Sequence, residues 1–437
     1  MDEILRLSAT QIAKHIRAGD LTAVQVTEAY LARLEAVNPV INAVTAVAPD
    51  ALRYAREADA KQAAGEALGP LHGVPFSVKD VFAVPGLYSR IDTHIRQRAQ
   101  PREDAVAVAR LRTAGAILLG KTNCPPNGSG TDAENAIYGQ TVNPYDHTRV
   151  AGGSSGGDAA LVAAGGAAFA IGSDQRGGLR IPAAYCGVTC LKPTQGRVPN
   201  TGAYNQPGGL TDPRTQIGPI ARHTEDLLPI AQVLSGPDAG DSTVVPMGWR
   251  NPAHVDLSTL RVAFFVEDPV APVDHAVKQA VGAAAQALAR AGATVRPDLP
   301  LHFVTNSYEV NDFWQDMAGA PGRTWVELFA MWDYFRTDML QFMQEYDAIL
   351  CPVDHHVAPP VRQRDPMRFR YTVPFSLTGF PCTVVRTAAG PDGLPIGVQI
   401  AAHPWREDVA VVLASALERE FGGWKETGDW QIGRLRD

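Results

Sequence analysis

The sequence predicts an α/β fold in which helices cover both faces of a β-sheet. Two observations carry this expectation. From about residue 71, short apolar runs alternate with helical stretches and Gly/Pro/Asn breaks, the texture of strands joined by helical connections. The chain is also large and apolar enough to build such a core. It has 437 residues, 45% hydrophobic and 19% charged, and a chain of this length buries roughly three quarters of its unfolded surface.

The elements follow in order. Residues 1–60 read as helical: Ser8-Ala-Thr-Gln11 and Thr22-Ala-Val-Gln25 both fit a capping box. After the second box, Val26, Tyr30, Leu34 and Val37 form one apolar stripe. Val74–Val78, Ala116–Leu119, Phe169–Ile171 and Val262–Val266 read as buried strands, and Ala105–Ala114 and Asp158–Ala164 as helices. The longest apolar run, Ala159 to Ile171, reads as a buried helix too short to span a bilayer. Asp274 to Gly292 is a helix with Asp as N-cap, apolar Val277, Val281, Ala284 and Leu288, and a closing Gly. Residues 236–258 read as a long surface loop. The stretch 303–346 is dense in aromatic side chains, most of them expected in the core and some around a pocket. No repeat or charge run divides the chain. It is expected to be one domain over 1–437: an N-terminal helical segment (1–60), a core segment (71–235) and a C-terminal part (259–437) that closes the pocket.

Composition excludes several functions. Lys plus Arg number 39 and Asp plus Glu 46, a net charge of −7, so no basic face for nucleic acid or an anionic membrane is expected. The five cysteines are scattered, with no CxxC pair. That argues against a disulfide scaffold and for a reducing compartment. Met1-Asp-Glu-Ile-Leu-Arg6 lacks a signal-peptide pattern. The expectation is a cytoplasmic protein acting on a small-molecule substrate or ligand.

Three segments carry chemistry. In Gly73-Val-Pro-Phe-Ser-Val-Lys79-Asp80 a lysine ends an apolar strand, where burial lowers its pKa and makes it a potential general base. In Gly152-Gly153-Ser154-Ser155-Gly156-Gly157-Asp158 two glycine pairs flank two hydroxyls just before a helix, a setting for close backbone approach and free N–H groups. It is not a phosphate loop, because no Gly-Lys-Ser/Thr follows. The third segment, Gly172-Ser-Asp174-Gln175-Arg176-Gly177-Gly178-Leu-Arg180-Ile-Pro182, is too dense in Gly and charge for a plain connector.

In order and spacing these segments resemble the amidase signature family, and the resemblance covers nearly the whole chain. Further matches are Gly120-Lys-Thr-Asn123, Glu134-Asn135, Asn143-Pro144, Gly218-Pro-Ile-Ala-Arg222, Pro374-Phe-Ser-Leu-Thr-Gly379-Phe-Pro381 and Gly393-Leu-Pro-Ile-Gly-Val-Gln399. The resemblance implies the amidase-signature fold, with a mixed central sheet flanked by helices on both faces. It also implies no metal or organic cofactor, and hydrolysis of C–N bonds by a Ser–cis-Ser–Lys unit. Lys79 matches the base and Ser154, reached through a cis Gly153–Ser154 peptide, matches the relay. Ser155 supports it. Gln175, Arg176, Gly177 and Gly178 fall on the oxyanion and substrate loop, with Asp174 and Arg180 framing it. Homodimers are common in such families, and nothing in this sequence decides that point.

The chain departs from the family pattern at two positions. Asp174, Arg180 and Pro182 fix the register, and the position of the attacking serine then holds Gly178. Arg176 stands where the family has the first glycine of a pair. Without a hydroxyl at 178 no ester can form there, and deleting such a nucleophile costs on the order of 10⁶ in rate. Arg176 either spoils the oxyanion loop or binds a carboxylate bidentately. Ser173 reads as structural, and Cys186 and Cys190 as packing. His72 reads as packing too. Asp354-His355-His356 lacks a third metal ligand at usable spacing. Three readings follow: an enzyme with altered, non-covalent acid/base chemistry by Lys79 and Ser154; a catalytically silent protein that serves as a binding or partner subunit; and a hydrolase with another nucleophile, or a form altered to trap a complex. Two departures within three residues speak against the trapped form.

Overall fold

The computed structural model describes residues 2–89, 101–203, 212–316, 324–363, 365 and 367–428. Its framework is one eleven-stranded sheet. In chain order the strands are β1 (Val44–Val47), β2 (Pro75–Lys79), β3 (Ile117–Thr122), the short pair β4 (Glu134–Asn135) and β5 (Gly139–Gln140), then β6 (Phe169–Asp174), β7 (Thr189–Lys192), β8 (Gln216–Ala221), β9 (Arg261–Phe264), β10 (Thr294–Pro297), β11 (Ala348–Pro352), β12 (Cys382–Ala389) and β13 (Pro395–Ala402). The large sheet runs β1-β3-β2-β6-β8-β7-β12-β13-β11-β9-β10, and β4 pairs only with β5. The sheet is mixed: β2 lies parallel to β3 and β6, while β8, β7, β12 and β13 pair antiparallel. Helices pack on it from both sides, which is the expected amidase-signature arrangement.

Strands β2, β3, β6 and β8 are buried at every position, the polar residues at their ends included, as befits strands covered on both faces. Both N-terminal capping boxes form. Ser8 Oγ accepts from Gln11 N, Thr22 Oγ1 accepts from Gln25 N, and each glutamine reaches back to its cap. The helix Ala23–Ile41 buries Val26, Tyr30, Leu34 and Val37 as the stripe demanded.

Three expectations need correction. Residues 1–60 are not all helical, because Val44–Val47 forms the edge strand β1 against β3. The run Ala159–Ile171 is not one helix. The helix ends at Ala163, the chain turns through Gly165-Gly166, and β6 begins at Phe169; glycine at a positive φ of 77° ends the helix where apolar content alone suggests continuation. In the aromatic stretch, Phe303, Phe313, Trp332 and Phe335 are core, but Trp325, Phe329 and Tyr334 are exposed. All five cysteines are buried and free. Among the described residues no helix is long and apolar enough to cross a membrane.

The parallel pairing of β2 with β6 sets Val78 beside Ile171, so Lys79 and Ser173–Asp174 emerge together at the carboxyl ends of adjacent strands. Crevices at strand ends of this kind are where open α/β sheets bind ligands.

Candidate active site

Lys79 is fully buried at the end of β2. Its Nζ lies 2.6 Å from Ser154 Oγ, 2.9 Å from Ser173 Oγ and 3.3 Å from the Gly128 carbonyl oxygen. The Gly153–Ser154 peptide is cis. It runs close under a neighbouring loop: a Cβ on Gly153 would sit 2.6 Å from Asp132 N, so only glycine lets the two backbones pass. Ser155 precedes the helix Gly156–Ala163 and braces the loop. Its N–H donates to the Gly178 carbonyl (3.0 Å), and its Oγ accepts from Ser173 N (3.2 Å).

The loop between β6 and the helix Arg180–Tyr185 is closed by a buried ion pair. Arg180 Nε and Nη2 lie 2.9 and 3.0 Å from the two Asp174 carboxylate oxygens, and both side chains are fully buried. Asp174 also accepts from the N–H groups of Leu179 and Arg180. Within that frame the N–H groups of Arg176, Gly177 and Gly178 have no hydrogen-bond partner among the described residues. Such donors can receive a developing oxyanion. A Cβ on Gly178 would lie 2.5 Å from Ser173 O and 2.8 Å from Ser154 Oγ, so the backbone has closed on this position. The space above Ser154 and Gly178 has a volume of about 10 Å³ and is lined also by Gly128, Ser129, Gln175, Arg176 and Phe369. That is room for about one water molecule.

Beyond Arg176 lies a second cavity of about 330 Å³, bordered by Ser129, Gln175, Arg176, Asp212, Arg214 and Trp314. Gln175 Nε2 donates to Asp212 Oδ2 (2.6 Å), and Arg214 grips the same carboxylate. The Arg176 guanidinium stacks over the Phe369 ring at 5.2 Å. Among the described residues it forms no ion pair or side-chain hydrogen bond. It therefore points toward the cavities, the orientation that sequence reasoning left open.

Burial sets the charges. Desolvation lowers the Lys79 ammonium below its ordinary range, partly offset by the fields of Asp158 and Asp174. The Asp158 carboxyl, buried at the helix start, is pushed up to about 7 by the same desolvation, against a hydrogen bond from Thr122 and the field of Lys79. Burial also depresses Arg176, with help from Arg214. A lysine held toward its neutral form can accept a proton from Ser154. Its pKa is lower folded than unfolded, so the unfolded chain binds the extra proton in the window between the two values. Stability should then rise with pH across that window, the penalty being complete below the folded value. Turnover should rise with pH along a limb lying below the ordinary lysine value of about 10.4. A pH profile of kcat/KM, with urea melts at the same pH values, checks both signs.

Every sequence-predicted residue, Lys79, Gly153, Ser154, Ser155, Asp174, Gln175, Arg176, Gly177, Gly178 and Arg180, falls in this one region. Ser173, read as structural, is a direct partner of Lys79, but it is nearly buried and does not line the cavity. Sequence reasoning missed Asp212, Arg214, Trp314 and Phe369, which reach the site from distant segments. Gly128-Ser129-Gly130 also lines the space above Ser154. His72 Nε2 donates to the Ala58 carbonyl and packs away from the site, and Cys186 and Cys190 are buried thiols whose pKa burial raises. Part of the aromatic stretch expected around a pocket, residues 317–323, lies outside the described residues.

Comparison with known proteins shows the family. The Amidase family model matches residues 25–314 and 315–411. The chain is 32% identical to a component of the glutamyl-tRNA(Gln) amidotransferase of Chloroflexus aurantiacus, covering 96% of this chain and 97% of that protein. It is 33% identical to an acylamidase of Rhodococcus erythropolis, covering 95% of each. Among solved structures it superposes on a fatty acid amide hydrolase with a TM-score of 0.88 and 25% identity, over 96% of this chain and 86% of that one. With its signature segments gathered at one site, the chain belongs to the amidase family.

Proposed function

We propose that this protein hydrolyses a C–N bond in a small carboxylate-bearing amide or urea, using Lys79 and Ser154 to activate water instead of forming an ester at position 178. The observation that carries this reading is the 2.6 Å contact between Lys79 Nζ and Ser154 Oγ beside a space of about 10 Å³ bounded by Gly178. A water there gives a proton to Ser154, which passes its own to neutral Lys79, and the water oxygen bonds to the carbonyl carbon. The oxyanion meets the N–H groups of residues 176–178. When the C–N bond breaks, the proton returns through Ser154 to the leaving nitrogen. Arg176, which has no ion pair among the described residues, borders the larger cavity, and this supports a substrate carboxylate as anchor, since a guanidinium binds that group bidentately. The relatives include an amidotransferase component and an acylamidase, which supports C–N chemistry in general.

One observation favours a second route. Ser154 is itself the hydroxyl that both contacts the lysine and lines the cavity, so it could be acylated as in a Ser–Lys dyad. A panel of small amides and ureas with and without a carboxylate separates the readings. The expected result is steady turnover of carboxylate-bearing members, no burst, and no labelling by a fluorophosphonate. Stoichiometric labelling of Ser154 would establish the dyad, and carboxylate binding without any turnover would make the chain a binding protein.

Restoring the family serine should not restore the family mechanism. A Cβ at 178 meets a backbone carbonyl at 2.5 Å, which cannot swing aside as a side chain can. Gly178→Ser is expected to cost about 1–3 kcal/mol of stability and to show no burst. A burst of one equivalent in that variant, with an unchanged melting curve, would show that only the attacking atom was missing.

A further inference from the structure

Asp354, His355, His356 and Asp365 form a cluster outside the catalytic residues. Each offers one donor atom, and these atoms lie within 4.8 Å of one another. His355 Nδ1 lies 2.9 Å from Asp354 Oδ1, while its Nε2 faces Asp365 Oδ2 at 3.5 Å. His356 Nε2 lies 3.0 Å from the same Asp365 oxygen. Yet among the described residues Asp365 Oδ2 and His356 Nδ1 have no hydrogen-bond partner, although both atoms are buried. The Asp365 side chain is 7% exposed and Asp354 2%. Nitrogen and oxygen atoms thus converge without an N–H aimed along the contact. Donor atoms around a tetrahedral ion with bonds of about 2.0–2.1 Å stand about 3.3 Å apart, close to the two Asp365 separations.

Charge points the same way. Asp354 and Asp365, with Asp132 nearby, make three carboxylates, and among the described residues Arg368 is the guanidinium set against them. It lies 2.6 Å from Asp132 Oδ1 and 4.0 Å from Asp365 Oδ2. As metal ligands the two imidazoles are neutral, and the carboxylates of a cluster so arranged would leave negative charge in a buried place for a divalent cation to neutralise. We infer that His355 Nε2, His356 Nε2 and Asp365 form a binding site for a divalent transition-metal cation such as Zn²⁺. Asp354 holds the His355 tautomer by accepting from its Nδ1–H, the arrangement that aims the other ring nitrogen at a metal. The site would be structural. Arg368 donates to the Thr131 carbonyl beside the Gly153 crossing, and Phe369 carries the Arg176 stack, so the metal would pin the segment that walls the catalytic space.

The test titrates the full chain, stripped with chelator, with Zn²⁺ alone and with Co²⁺ alone. The expected result is one equivalent bound, an upward shift of the melting temperature, and intense visible bands of tetrahedral cobalt. Asp365→Asn, which keeps the shape, and His356→Ala should each lose affinity at least tenfold, and Asp354→Asn roughly tenfold to a hundredfold, with unchanged circular dichroism. Absence of stoichiometric binding by the parent, a weak octahedral cobalt spectrum, or variants that bind as tightly as the parent would overturn the inference.

Discussion

Replacing Lys79 with alanine is expected to lower kcat/KM by about 10²–10⁴, the usual contribution of a positioned proton-transfer group. Among the described residues no other side chain that hydrogen-bonds Lys79 Nζ or Ser154 Oγ is a base. Ser173 Oγ is the other side-chain contact of Lys79 Nζ, and a hydroxyl cannot take the proton from Ser154 at neutral pH. Cys124 lies near enough for its field to act on Lys79, but burial pushes that thiol up to about 12, so it stays protonated. Lys79→Arg should fail as badly as alanine, because a guanidinium keeps its proton. The loss should fall on kcat, since the proposed carboxylate anchor, Arg176, is separate from Lys79. Full turnover in Lys79→Ala on a substrate the parent hydrolyses would remove the lysine from the mechanism. A rise in KM alone would reduce it to a substrate-binding group.

Much of the site was legible because its chemistry is local in sequence. Lys79 ends one strand, Ser154 and Ser155 open one helix, and 174–180 form one loop, so each segment stood out from a few neighbouring residues, and the resemblance to the amidase signature then assigned the roles. What brings them together is the parallel pairing of β2 with β6; the apolar runs marked both as strands but not as neighbours. The cavity lining was not legible. Arg214, Trp314 and Phe369 meet Arg176 from separate parts of the chain, and no spacing rule ties them. Asp365 was missed for a similar reason: it stands ten positions after His355, with no helical period to tie the two together. The apolar run 159–171 misled for another reason. Helix and strand are equally apolar when wholly buried, and only the glycine pair at 165–166 marks the change.

The largest stability effect should come from the pair that frames the loop. Arg180→Met is expected to destabilise the fold by about 3–5 kcal/mol, the cost of leaving one member of a buried ion pair alone. Arg180 also donates to the Thr372 carbonyl (2.9 Å) and to Ser376 Oγ (2.8 Å), so its loss unties the loop from the helix Val373–Thr378 as well. The effect should depend on pH in a definite direction. In the parent, burial alone would raise the Asp174 carboxyl, but the Arg180 guanidinium outweighs it and holds Asp174 below the ordinary range. That contribution is present above the unfolded value of about 3.9 and is lost only as pH falls through the folded one. Without Arg180 the sign reverses, because a lone buried carboxyl has a raised pKa. The variant then loses stability as pH climbs from about 3.9 through that raised value. The deficit in urea midpoint, at unchanged m, should therefore be larger at pH 8 than at pH 5. A deficit independent of pH would mean that Asp174 finds another counter-charge once Arg180 is gone. Lys192 is the candidate, since its field already lowers Asp174 in the parent, and Arg180→Met/Lys192→Met would then restore the slope.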